Sequence, residues 1–231
     1  MIFSDDDDSD EAINLDAINL IDIPHLPANH RLPTSGVEII IRCLRRDEIR
    51  IFYDALKAAV LSNDGYGYDE LPNFAYFVKY YLNNYSNFVY ETTSQPPRST
   101  SSANEDNNHH QIIAFANFGA SWFARDSRSR LTDGNLVILP EHRGKRLAVD
   151  LINIIFGLSV DMGYSAVYGM TSATNVAFLR STLAVGYIVT GTVPRGIFFP
   201  DQGWVDVVMF YSPPGRIVPF KQQLLQAKTL S

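Results

Sequence analysis

The chain has 231 residues, of which 46% are hydrophobic and 12% aromatic, enough for one domain with tails and a sizeable core. Its formal net charge of -6 argues against a chain-wide electrostatic footprint for nucleic acid. Its single cysteine, Cys43, excludes an intrachain disulfide, and no uninterrupted apolar run reaches the ~18 residues of a membrane span.

The first residues, MIFSDDDDSDE, are acidic where a targeting peptide would be basic. A soluble chain of the cytoplasm or nucleus is therefore expected, with neither a membrane nor a nucleic acid as partner. Like charges and the prolines of IPHLPANHRLP predict a disordered arm over 1–35. The folded domain is expected over 36–215, with 216–231 as a tail. VEIIIRCL reads as the first strand. Ile49, Phe52, Tyr53, Leu56, Ala59 and Val60 then recur at helical spacing. A second helix is predicted from about Leu71 to Leu82, and its aromatics Phe74, Phe77, Tyr80 and Tyr81 are read as core.

FVYETT and QIIAFANFGASWFA read as a hairpin whose extended tip, 94–110, is a flexible polar loop. His109 and His110 in that tip lack a second ligand pair at tetrahedral spacing, so no metal is expected. The second half of the chain is more regular: a strand over Asp133 to Leu139, the turn PEHRGKR, and a helix from Leu147 to about Met162. A strand, SAVYGMTS, follows, then a helix from Asn175 to about Val185 with Thr174 as candidate N-cap. YIVTGTV and WVDVVMFY close the pattern as two strands joined by PRGIFFPDQG.

The turn raises a chemical question. A loop that runs from a strand into a helix points several unpaired N–H groups one way, and the helix dipole adds partial positive charge. Such a place suits an anion. Gly144 removes a side chain where a ligand would lie, and Arg143, Lys145 and Arg146 add full charges. The turn is neither a Walker A loop nor a G-x-G-x-x-G fingerprint. On its own it leaves open both a pyrophosphate cradle and a plain basic surface turn.

Glu141 to Ala148 resembles the Q/R-x-x-G-x-G/A loop of the GNAT superfamily of acyl-coenzyme A-dependent N-acyltransferases. Asn175 at the next helix, and Gly186-Tyr187 eleven residues later, match that family's Asn … Gly-Phe ending. Residues 131–211 carry the resemblance, and 37–130 share element order alone. Within the superfamily the chain is most similar to fungal proline-analogue (azetidine-2-carboxylate) acetyltransferases, through DGYGYDELPNFAYFVKYYL, the loop itself and Gly191-Thr192-Val193-Pro194.

The resemblance implies an α/β fold: a mixed, twisted sheet of about seven strands, helices on both faces, and a central parallel pair splayed by a bulge. It implies acetyl-coenzyme A as co-substrate, with the pyrophosphate on Arg143, Gly144, Lys145, Arg146, Leu147 and Ala148. The pantetheine would lie along Val137, Ile138 and Leu139, with Asn175 near the sulfur. The implied function is acetyl transfer to the amine of a small molecule, an amino acid or analogue, by direct attack on the thioester. Acetylation of a protein N-terminus or lysine, and a catalytically degenerate acyl-coenzyme A-binding module, are the alternatives. A homodimer is left open. Asp133 aligns with a substrate Asn of the proline-analogue enzymes and is a candidate to hold an ammonium or take its proton; Tyr168 is a second catalytic candidate, with Asp206 and Tyr211 behind them. Departures from the family pattern are Glu141 at the first loop position, Arg146 at the second Gly/Ala position, Thr182 in place of the usual general-acid Tyr, and Gly169 in place of a second substrate Asn.

Overall fold

Runs of β-branched and aromatic residues pair into one eight-stranded sheet in the computed structural model, which describes residues 13–62, 71, 73–83, 85–92, 111–121 and 130–229. The strands are β1 (Ala28–Arg31), β2 (Glu38–Cys43), β3 (Tyr85–Thr92), β4 (Gln111–Ala120), β5 (Leu131–Ile138), β6 (Ala166–Ser172), β7 (Ile188–Phe199) and β8 (Gly203–Ser212). Their spatial order is β1-β2-β3-β4-β5-β6-β8-β7, antiparallel throughout except for the parallel pair β5–β6. The expected tip at 94–110, with His109 and His110, lies outside the described residues.

Side-chain alternation along the strands sends apolar groups to both faces, and each face takes its own helices. Helix α1 (Ile49–Leu61) buries the periodic set from Ile49 to Val60. With α2 (Phe74–Phe77) and the π-helical turn Val78–Leu82 that continues it, α1 covers Val89, Phe115 and Val137. On the opposite face α3 (Ala148–Asp161) and α5 (Phe220–Thr229) cover Ile39, Ile41, Phe88 and Tyr90. Helix α4 (Val176–Ala184) flanks a smaller cluster of Ile152, Val167, Tyr187 and Phe210. Its N-cap is Asn175, whose Oδ1 accepts the Phe178 N–H at 3.2 Å, one residue beyond the expected Thr174.

Three expectations change here. The sheet has eight strands because Ala28–Arg31, inside the expected arm, pairs with Glu38–Ile41. The chain before and after this strand is anchored by buried Ile18, Ile23 and Leu32, so prolines that suggested disorder only bracket an edge strand, where a missing donor is tolerated. The expected tail at 216–231 holds α5, whose Phe220 is fully buried and whose Lys221 N–H donates to Asp161 at 2.9 Å. Finally, PRGIFF extends β7 rather than linking two shorter strands. Pro194 is accommodated at the sheet edge, where the register shifts between Val193 and Ile197.

The central feature is a short parallel seam. Strands β5 and β6 pair only at Leu131–Ala166 and Thr132–Val167, then diverge. No bulge interrupts the β4–β5 register, contrary to expectation. One rung is instead made by a side chain: buried Asn117 accepts the Asn135 N–H on its Oδ1 at 3.1 Å, while its Nδ2 donates to the Tyr81 carbonyl at 3.0 Å. Gly134 allows this distortion, since a Cβ there would lie 2.3 Å from the Asn117 carbonyl oxygen.

Candidate active site

Where β5 and β6 part, a cleft of ≈ 1120 Å³ opens through the sheet. That is ample for a cofactor-sized molecule. The ladder fixes which backbone groups face it. The Leu139 N–H donates to Ile113 and the Leu131 carbonyl accepts from Ser121. The odd-numbered residues of β5 thus direct their backbone at β4, and Gly134, Leu136 and Ile138 direct theirs into the gap. Of the three strand residues expected to meet the pantetheine, Ile138 presents backbone groups there. Val137 is among the lining residues although it is buried in the core beneath α1, and Leu139 does not line the cleft.

At one end of the cleft, β5 runs through a 3-10 turn (Pro140–His142) into the loop before α3. Gly144 has φ +73°, and a Cβ on it would point into open space, so the loop backbone itself forms the wall of a cradle. Arg146 also adopts a left-handed backbone, φ +60°, at the position where the family pattern has Gly or Ala. No side chain caps the α3 N-terminus, so its first N–H groups remain available for an anion. The Asp150 carboxylate in that first turn is engaged by Thr34, through N–H at 2.9 Å and Oγ1 at 2.7 Å. Arg143 Nε donates to the Ile138 carbonyl at 3.0 Å, which fixes its guanidinium at the mouth of the strand gap. Arg143, Gly144, Arg146, Leu147 and Ala148 line the cleft, whereas Lys145 does not. His142, 8% exposed, lines it too. Burial and the neighbouring Lys145 charge, opposed by Glu141, lower its pKa, so it is neutral at pH 7.

At the other end lies Asp133, one residue past the seam. Tyr85 donates to its Oδ1 at 2.7 Å. Burial, then the Asp133 charge, raises the pKa of both Tyr164 and Tyr168, which keeps these phenols protonated and able to donate. Tyr76, Tyr80 and Tyr81, read from the sequence as helical core or not singled out, complete the wall. Of that helix only Phe74 and Phe77 are buried core aromatics. Tyr85 and Tyr164 carry no motif that would mark them; only the strand pairing brings them to Asp133. Asn175 lines the cleft while capping α4, and its Nδ2 donates to Thr171 Oγ1 at 3.3 Å. Asp206 instead accepts the Arg195 N–H at 2.8 Å, and neither it nor Tyr211 lines the cleft. Thr182 is 1% exposed and donates to the Leu179 carbonyl, away from the cleft. Gly169 cannot give way to Asn, because a Cβ there would meet the Phe210 ring at 2.2 Å.

No family model and no curated protein matches this sequence. Solved structures do match. A GCN5-related N-acetyltransferase from Kribbella flavida superposes with a TM-score of 0.62 at 14% identity, over 76% of this chain and 97% of that one. Spermidine N-acetyltransferase from Vibrio cholerae, in complex with CoA and spermine, gives 0.59 at 18% identity, over 78% and 97%. A phosphinothricin acetyltransferase of the GNAT superfamily from Sinorhizobium meliloti, in complex with AcCoA, gives 0.61 at 17% identity, over 77% and 89%. The chain has the GNAT fold. These structures carry nothing on the proline-analogue subfamily.

Proposed function

We propose that this protein is an acetyl-coenzyme A-dependent N-acetyltransferase that acts on the amine of a small molecule. One observation carries the reading: a single cleft joins an uncapped helix N-terminus with a glycine-walled loop to a carboxylate set among phenols, across a gap in the sheet that exposes strand amides. The three similar structures are of acetyltransferases, and two contain CoA or AcCoA. The residues here fit that group, since Gly144, with no atom within 4 Å of where a Cβ would stand, lines the cleft beside the uncapped start of α3.

Backbone N–H groups of Gly144 to Ala148, with Arg143 and Arg146, would hold the pyrophosphate. Gly134, Leu136 and Ile138 offer backbone groups to the pantetheine, and their N–H groups can polarise the acyl carbonyl. The thioester supplies the acetyl group: the amine nitrogen forms the C–N bond, the C–S bond breaks, the amine loses a proton and the sulfur gains one. Asp133 would receive the ammonium and accept its proton, with Tyr85 orienting the carboxylate. Tyr168, protonated in its site, is the candidate to return a proton to the sulfur, the role that buried Thr182 cannot fill. Asn175 would orient the pantetheine beside α4. Asp133 standing where proline-analogue acetyltransferases have a substrate Asn supports an amino acid or analogue as acceptor; the missing second Asn at Gly169 weighs against it.

Isothermal titration with acetyl-coenzyme A, and with dephospho-coenzyme A as control, tests the reading. Micromolar binding that the Gly144→Trp variant loses is the expected result. No binding at millimolar ligand would remove the cradle and the activity with it, whereas equal binding by the variant would remove the cradle alone.

A further inference from the structure

If the start of α3 holds the pyrophosphate, the reading on which this inference rests, the carboxylate in that turn is a hazard to it. Asp150 is the third residue of α3 and the acidic residue of its first turn. A carboxylate so placed ordinarily turns back onto the unpaired N–H groups of the turn, or neutralises their partial positive charge. Here those donors are open. Leu151 is the first residue of α3 whose N–H finds a helical acceptor, the Leu147 carbonyl at 3.0 Å. The N–H groups of Ala148, Val149 and Asp150 donate to no acceptor among the described residues. Yet the carboxylate does not take them.

It is turned the other way, to a partner 116 positions distant in sequence, in the turn that joins β1 to β2. Two backbone bonds of 2.8 Å close that turn, from the Leu32 N–H to the Val37 carbonyl and from the Gly36 N–H to the Leu32 carbonyl. Within it Thr34 engages both carboxylate oxygens: its N–H donates to Oδ2 at 2.9 Å and its Oγ1 to Oδ1 at 2.7 Å. Asp150 is 4% exposed, whereas Thr34 is exposed. A buried carboxylate that loses a donor needs another, and its own helix offers the three open N–H groups. Taking them would set a negative charge where the phosphates are to bind, and repulsion grows as separation shrinks. Ala148, the first of the three, lines the cleft.

We propose that Thr34 is a positioning residue for the coenzyme. By holding the Asp150 carboxylate on the β1–β2 turn it keeps the start of α3 open to a phosphate group. The β1–β2 hairpin thereby sets the affinity of a cleft that none of its residues lines. Titration of the full chain with acetyl-coenzyme A reads this, with thermal melts to show that each variant is folded at the titration temperature. Thr34→Val removes the hydroxyl at nearly constant shape and should raise Kd about five-fold or more, the range of a charge at a helix terminus. Thr34→Ser should restore it. Asp150→Asn added to Thr34→Val should return Kd to the original value or below, because the charge that Thr34 restrains is gone. A tie that only pins the hairpin to α3 requires the reverse, a further loss with Tm falling in step. Asp150→Asn alone should bind at least as tightly as the original chain, so the sign is read without the Thr34 variants as well. Unchanged affinity in Thr34→Val, weaker binding by Asp150→Asn, or a double variant weaker than Thr34→Val overturns this inference and leaves the cradle standing. Absence of acetyl-coenzyme A binding by the original chain overturns both.

Discussion

Gly144 and Arg146 both adopt the left-handed backbone, but only one of them is glycine. For Arg the conformation costs on the order of 1 kcal/mol, so its retention calls for something the side chain does. Arg146→Gly should relieve that strain, offset by a similar entropy gain of the unfolded chain, leaving Tm nearly unchanged in a thermal melt. The lost charge should weaken acetyl-coenzyme A binding about ten-fold or more, the range of a charge-assisted hydrogen bond, measured by titration. An unchanged affinity would place Arg146 outside the cradle. The cradle is readable in the sequence because a strand-to-helix turn is a local object whose glycine and cations are adjacent. The acceptor wall is not: Tyr80 and Tyr81 sit at helical spacing and read as core, and Tyr85, Tyr164 and Asp133 meet only through the pairing of β3 to β4, β4 to β5 and β5 to β6.

At the level of elements, apolar faces and runs predicted α1, α3 and the inner strands, and end signals at Thr174 and Gly186 predicted α4. These signals missed β1 and α5, which are polar and attach through a few anchors. The α5 anchor is specific: α5 and the turn before it cross α3 at Gly157, where a Cβ would lie 2.9 Å from the Phe220 backbone nitrogen and 3.0 Å from the Val218 carbonyl oxygen. Gly157→Ala raises helix propensity by about 1 kcal/mol but collides with this backbone as well as with the Gln223 side chain, whose Nε2 would lie 2.4 Å away. Net destabilisation of about 1–3 kcal/mol is expected, seen as a lower denaturant midpoint. The same substitution in a chain lacking α5 should instead stabilise. Likewise β7 extends past Pro194 only because it is an edge strand, a fact of topology that local sequence does not carry.

At the scale of the molecule, three buried groups among the described residues shape the response to acid. His30 and His142 have pKa values lowered from 6.5, His30 by burial against the opposing Asp150 charge. The unfolded chain therefore protonates them first, and stability should fall as pH drops below about 6.5. Glu48 behaves differently: burial would raise its pKa, but hydrogen bonds from Arg42 and the Arg45 N–H hold it below 4.5. Its contribution is present above that value and lost as pH falls through the folded-state pKa. Thermal melts should thus show two successive declines, and His30→Gln should blunt only the first. The seam has one more consequence. Five strands on one side and three on the other form continuous ladders, yet two rungs and the helices are what join them. Amide protons deep in each ladder should exchange on two separate clocks, and a ligand spanning the gap should synchronise them, slowing both by reaching across as an added rung.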